Sequence, residues 1–175
     1  MSKSSTSNSS RSSAFSCICA SPSENNSEED MYSTVILHMH GGGFIALSSR
    51  SMQNYTRQWA RSLKVPVFSV DYRMPHEHPF PTAPNDCLRV YEFLVNHIHK
   101  YMNIRPKRII LAGDSAGGNL AFSLMGLILK NNLPPPVGIY TAYPACDLRL
   151  QFSPSKIHAF TDPLLHPPML LLCLK

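Results

Sequence analysis

From residue 34 onward, short apolar runs alternate with longer segments in which apolar residues return every three or four positions. Thr34 to Met39 predicts a buried strand, and Val67 to Val70 a second one ending at Asp71. Between them Met52, Tyr55, Trp59 and Leu63 fall on one helical face, with Ser51 placed to cap it. Leu88, Tyr91, Leu94 or Val95, and Ile98 mark a second amphipathic helix after Pro84. Arg108 to Ala112 predicts a third strand. Asn119 to Lys130 is apolar nearly all round, as suits a helix buried against a sheet. Pro134-Pro135-Pro136 stops that helix, and Val137 to Ala142 predicts a fourth strand. Strands without polar alternation, separated by helices, predict an α/β fold: a mostly parallel sheet with helices on both faces.

The first residues follow no such pattern. Serine supplies twelve of residues 1–30, and Glu24, Glu28, Glu29 and Asp30 close the segment. Too little apolar area is available there to offset the entropy of ordering, so a disordered tail over 1–33 and a folded domain over 34–175 are expected. Charge changes the picture little. The formal net charge is +5, with Arg57, Arg61, Lys64, Lys100, Arg105, Lys107 and Arg108 scattered and not interleaved with aromatics, which argues against nucleic-acid binding. Attraction to an anionic lipid surface is compatible with it. No run approaches the ~18 apolar residues of a membrane span. The cysteines (Cys17, Cys19, Cys87, Cys146, Cys173) form no metal-type pairs and read as reduced thiols. His38-x-His40, His76-x-His78 and His97-x-His99 lack a third ligand, so neither metal nor cofactor is expected.

Candidate chemistry is concentrated at Gly113-Asp114-Ser115-Ala116-Gly117, between the third strand and the following helix. Gly-x-Ser-x-Gly at a strand-to-helix turn is the nucleophile elbow of α/β-hydrolases. The glycines allow the sharp turn, which pushes the Ser115 hydroxyl into a cleft at the carboxyl end of the sheet. The first strand runs into His40-Gly41-Gly42-Gly43-Phe44. Acyl transfer makes an oxyanion that needs pre-aimed N–H donors, and this pattern supplies them in lipases and esterases. Gly42, Gly43 and Ala116 are the expected donors, with His40, Gly41, Gly113, Asp114 and Gly117 supporting the two turns. Asp114 is expected to anchor the elbow by hydrogen bonds, and Asp71 and Glu77 to fix the loop walling the cleft.

A third segment, Asp71-Tyr72-Arg73-Met74-Pro75-His76-Glu77-His78-Pro79-Phe80-Pro81, resembles the Asp-Tyr-Arg-Leu-Ala-Pro-Glu-His-Pro-Phe-Pro stretch of the hormone-sensitive lipase family. Three motifs stand in the family's order and spacing. Ser49-Arg50-Ser51, Ala142-Tyr143-Pro144-Ala145 and Asp162-Pro163-Leu164-Leu165 extend the similarity over roughly residues 34 to 175. Met74, Pro75 and His76 depart from the pattern. The proline sits one place early, which changes the backbone angle it locks. The resemblance implies an α/β-hydrolase fold and hydrolysis of acylglycerols or related lipid esters by Ser115, without a cofactor. It also implies a cytoplasmic location, with the surface of lipid droplets as a partner. Phe44, Tyr72 and Phe80 are expected to line the acyl pocket.

A serine nucleophile needs a histidine base held by a carboxylate, and in this fold both follow the serine in the chain. After Ser115 the available acids are Asp147 and Asp162, and the histidines are His158 and His166. Asp162 has the letters of an acid motif, but only 47 residues and one strand separate it from Ser115. The resemblance places the catalytic acid after a later strand. The expectation is therefore a fragment, incomplete at both ends of the fold, whose acid and base lie beyond Lys175 and which hydrolyses esters weakly or not at all. The rival expectation is a non-catalytic binding protein using the same pocket, like the family's plant hormone receptors.

Overall fold

Alternate residues of the strand Thr34–Met39 divide the core in two. Val35, Leu37 and Met39 join the larger cluster, while Ile36 points into a smaller one with Ala60, Val67 and Ala112. Such two-residue periodicity requires a sheet covered on both faces. In this computed structural model, which describes residues 15–18, 33–102, 104–149, 151, 154–163 and 165–173, the sheet has five strands. They are β1 (Phe15–Ile18), β2 (Thr34–Met39), β3 (Val67–Val70), β4 (Arg108–Asp114) and β5 (Gly138–Ala142), in the order β1-β3-β2-β4-β5. The last four are parallel, with Leu37 of β2 opposite Phe68 and Leu111.

Helix α1 (Gln53–Leu63) covers the smaller cluster, and α2 (Thr82–Asn96) with α3 (Ala116–Lys130) covers the larger. Short helices α4 (Pro154–His158) and α5 (Pro167–Cys173) follow β5. Catalytic turns in open parallel sheets lie at the carboxyl ends of the strands. Here β2, β3 and β4 all deliver their motifs to that end.

Three expectations before residue 64 need correction. Phe15–Ile18 lies in the segment expected to be disordered, yet it pairs antiparallel with β3. The outer edge of β3 offers unpaired N–H and C=O groups, and Phe-Ser-Cys-Ile is a run free of charge, proline and glycine that can take them. The rest of residues 1–32 lies outside the described residues. Ser51 does not cap α1: the N-cap is Met52 and makes no side-chain cap bond, and the Ser51 hydroxyl meets Ser48 Oγ at 3.3 Å. The buried face of α1 is also rotated, with Thr56 and Ala60 inside and Leu63 exposed. Small residues there let the helix lie close to the sheet, and the rings of Tyr55 and Trp59 flank the contact.

Helix α3 buries Leu120, Ala121, Leu124 and Ile128 on one face and exposes Phe122 and Leu129 on the other, so it is not buried all round. Gly126 lies on the exposed side, and an added Cβ would meet nothing within 4 Å. Gly126→Ala is therefore expected to stabilise the chain by about 0.5–1 kcal/mol, because alanine restricts the unfolded chain at no steric cost. Urea denaturation of the two proteins checks it.

Candidate active site

The turn from β4 into α3 holds Ser115 at φ 51°, ψ −116°, a left-handed conformation uncommon outside glycine. Such a residue costs about 1–3 kcal/mol and persists only where its surroundings determine it. Its N–H donates to Ala142 O (2.9 Å), and its carbonyl accepts from Asn119 N (3.2 Å) and Ala145 N (3.1 Å). Asn119 Nδ2 also donates to Ala145 O (2.8 Å), which ties α3 to the segment after β5. Ala116 opens α3 and is buried, and its N–H belongs to the first turn, where donors lack intrahelical partners.

Beside this turn lies the glycine loop that follows β2. Gly42 and Gly43 have φ of 104° and 63°, a region favouring glycine, and Ile45 N and Ala46 N both donate to Gly42 O (3.2 and 3.0 Å). Among the described residues the N–H groups of Gly42 and Gly43 find no acceptor, so they are available to an anion. A Cβ at Gly43 would meet Cys173 Sγ at 2.5 Å, so α5 brings a thiol against the loop.

Asp114 joins the loop to the turn. Its carboxylate takes the Gly41 N–H and, at 2.9 Å, the Tyr55 hydroxyl. Burial pushes the Asp114 carboxyl up, but His38, Tyr55 and Gly41 N–H together outweigh that and hold it below the usual carboxylate range. Because a carboxylate only accepts, the Tyr55 proton points to Asp114, and His38 Nε2 donates to the Tyr55 oxygen (2.9 Å). His38 Nδ1 then accepts from Ser69 Oγ (2.8 Å). Burial and the adjacent Asp114 raise the Tyr55 phenol well above its usual range, so it stays a donor. Nothing in the sequence announces this Ser69–His38–Tyr55–Asp114 chain, whose members come from β3, β2, α1 and β4.

His40 is fully buried, and that burial lowers its pKa and keeps it neutral. The Gly41 carbonyl only accepts, so Nδ1 carries the proton and donates to it (2.8 Å). Nε2 has no hydrogen-bond partner among the described residues. The ring stacks on Tyr72 (centroids 4.3 Å apart), whose hydroxyl donates to His40 O (2.8 Å). Asp71 accepts from both Ser49 N and Ser49 Oγ at 2.7 Å, securing the loop between the glycines and α1. Arg73 makes a bidentate pair with Asp86 of α2 at 2.8 and 3.0 Å.

The three aromatics grouped in the sequence as pocket walls take different places. Phe44 packs against the larger core cluster, Tyr72 is buried beneath His40, and Phe80 is 83% exposed.

Residues 36–175 match the sequence pattern of the family described as alpha/beta hydrolase fold. The chain belongs to that family. Among curated relatives it is 40% identical to mouse hormone-sensitive lipase over 139 residues, covering 79% of this chain and 18% of the lipase. Human hormone-sensitive lipase is 41% identical over 140 residues, 80% of this chain and 13% of that protein. A solved hormone-sensitive lipase from a metagenome library superposes with a TM-score of 0.71 at 34% identity, covering 81% of this chain and 46% of that one. The chain thus spans less than a fifth of these mammalian lipases and about half of the solved enzyme.

Members of this hydrolase family named lipase or esterase act on carboxylic esters, and the chemistry requires a base beside the serine. Here the four candidates after Ser115 are disposed as follows. Asp147 is held by Arg149 (2.9 and 3.1 Å), and Asp162 accepts Leu165 N (2.9 Å) as a local turn. His158 and His166 are exposed, and the His166 ring faces Phe160. Among the described residues no histidine or carboxylate hydrogen-bonds the Ser115 hydroxyl, nor does any group of three or more His, Cys, Asp or Glu form a metal cluster.

Proposed function

We propose that this chain carries the nucleophile half of a serine ester hydrolase acting on acylglycerols or related lipid esters. The observation that carries the reading is the left-handed Ser115 between β4 and α3, joined through Asp114 to a glycine loop with unpartnered N–H groups. Ser115 Oγ attacks the ester carbonyl carbon and passes its proton to a histidine. The carbonyl oxygen becomes an oxyanion held by the N–H groups of Gly42, Gly43 and Ala116, each donor contributing roughly 3 kcal/mol. Collapse expels the alcohol, and water then releases the acid from the acyl-serine. The resemblance to hormone-sensitive lipases supports the lipid-ester class, and it is the ground for proposing a cytoplasmic enzyme at lipid-droplet surfaces.

Among the described residues no histidine hydrogen-bonds the Ser115 hydroxyl, and this favours a second reading for the 175-residue chain alone: binding of esters with little turnover. Hydrolysis of p-nitrophenyl butyrate by the chain and by Ser115→Ala, both shown folded by circular dichroism, tests the two together. The expected result is weak release of p-nitrophenol at the same rate in both. Robust turnover lost in Ser115→Ala would establish the nucleophile and show that one of His158 and His166 reaches it after all. Robust turnover retained in Ser115→Ala would remove Ser115 from the reaction.

A further inference from the structure

A second cleft lies at the opposite end of the sheet. It has a volume of about 310 Å³ and is lined by Val95, His99, Arg105, Pro106 and Lys107. Ser115 follows the last residue of β4, while Arg105 to Lys107 precede its first. Seven strand residues at ~3.3 Å each put the two sites roughly 23 Å apart. The ester chemistry makes no use of this cleft.

Its charge is one-sided. No carboxylate lines it, and from His97 to Arg108 the chain has Lys100, Arg105, Lys107 and Arg108 without one Asp or Glu. Among the described residues the side chains of His99, Arg105 and Lys107 have neither an ion-pair nor a hydrogen-bond partner. Cations gathered without counter-charges repel one another, and this is relieved when an anion enters between them. Arg73 and Arg149, by contrast, each have a carboxylate.

The rim is also held in place. Ile98 and Ile104, the residues just before His99 and Arg105, are buried at 0% and 4% exposure. Lys107 N and Arg108 N both donate to Ser33 O (2.8 and 2.9 Å), fixing the third wall to the start of β2. Pro106 stiffens the segment between the two cations. The polar ends are thus carried on anchored backbone, as recognition of a small charged group requires.

We propose that this cleft binds a phosphoryl group, with Arg105 supplying a guanidinium fork, Lys107 a point charge, and Val95 and Pro106 an apolar floor for whatever bears the phosphate. The phosphoryl group can belong to a soluble phosphoester or to a phospholipid headgroup, and the assay separates them.

Inorganic pyrophosphate is titrated calorimetrically into the full chain, and flotation is measured with phosphatidylcholine vesicles with and without phosphatidylinositol 4-phosphate. Saturable pyrophosphate binding is expected, weakened about tenfold or more by Arg105→Gln with Lys107→Gln, as loss of two charge-assisted contacts implies. Arg57→Gln with Arg61→Gln removes the same charge from exposed positions of α1 and is expected to leave binding within about twofold, since screened distant charges act weakly. Arg105→Lys keeps the charge and loses the fork, and is expected to fall between. Flotation only with the phosphoinositide, competed by pyrophosphate, assigns a lipid headgroup; pyrophosphate binding without flotation assigns a soluble phosphoester. No saturable binding of either probe, or equal weakening by the α1 pair, overturns the proposal.

Discussion

Gly117→Ala is expected to destabilise the chain by at least about 3 kcal/mol, the range of severe overpacking against rigid backbone. An added Cβ at Gly117 would strike the carbonyl oxygen of Met39 and lie 2.7 Å from that of His40. Neither atom can swing away as a side-chain end would. Met39 ends β2 in the middle of the sheet, and His40 is fully buried under Tyr72. Relief therefore requires α3 to move off the sheet, and Leu120, Ala121 and Leu124, all buried at 1% exposure or less, move with it. The expected signature in urea denaturation is a large fall in midpoint with an unchanged slope. Gly126→Ala, nine residues along the same helix, changes stability in the opposite direction. A loss at position 117 below about 1 kcal/mol, the ordinary effect of a point change, would mean that the close approach of α3 to β2 is not what fixes this glycine.

That contrast marks how far the sequence was legible. The runs at Thr34–Met39 and Val67–Val70 coincide with strands because each is buried on both faces, so apolar residues facing both ways, broken only by Thr34, His38 and Ser69, are the signal. The strand before Ser115 continues to Asp114, two residues past its last apolar one, because Gly113 and Asp114 still pair with Thr141 and Ala142. Phe15–Ile18 was hidden since four residues in a serine-rich context carry no periodicity, and only the free edge of β3 gives them a partner. The motifs announced Ser115 and the glycine loop, but not what holds them together. In the sequence Tyr55 is one position on an apolar helical face, and His38 is half of a metal-type spacing. Their roles follow from contacts across 59 and 17 residues of chain, which no local pattern encodes. Tyr72, grouped by its motif with the pocket walls, lies under His40, with its hydroxyl bonded to the His40 carbonyl.

Asp114 provides the second large effect. Asp114→Ala is expected to cost about 2–3 kcal/mol at pH 7, because the Gly41 N–H and Tyr55 hydroxyl are left short of an acceptor in a half-buried setting. Asp114→Asn keeps the shape and removes the charge, which isolates the electrostatic part. The folded-state pKa of Asp114 lies below its unfolded value, so the stabilisation from its charge is fully present above the unfolded carboxylate pKa of about 4 and is lost as pH falls through the lower, folded one. The gap in urea stability between the wild-type chain and Asp114→Asn is accordingly expected to be widest near neutrality and to close progressively below about pH 4. Tyr55→Phe removes a single donor and is expected to cost about 1 kcal/mol. Combined with Asp114→Asn it should cost less than the two changes added, since the residues share one hydrogen bond at 2.9 Å. A gap independent of pH, or strict additivity of the two changes, would show that the loop and the serine turn are held by packing alone. Were that so, the carboxylate beside Ser115 would have no part in positioning the glycine loop for the oxyanion role proposed for Gly42 and Gly43.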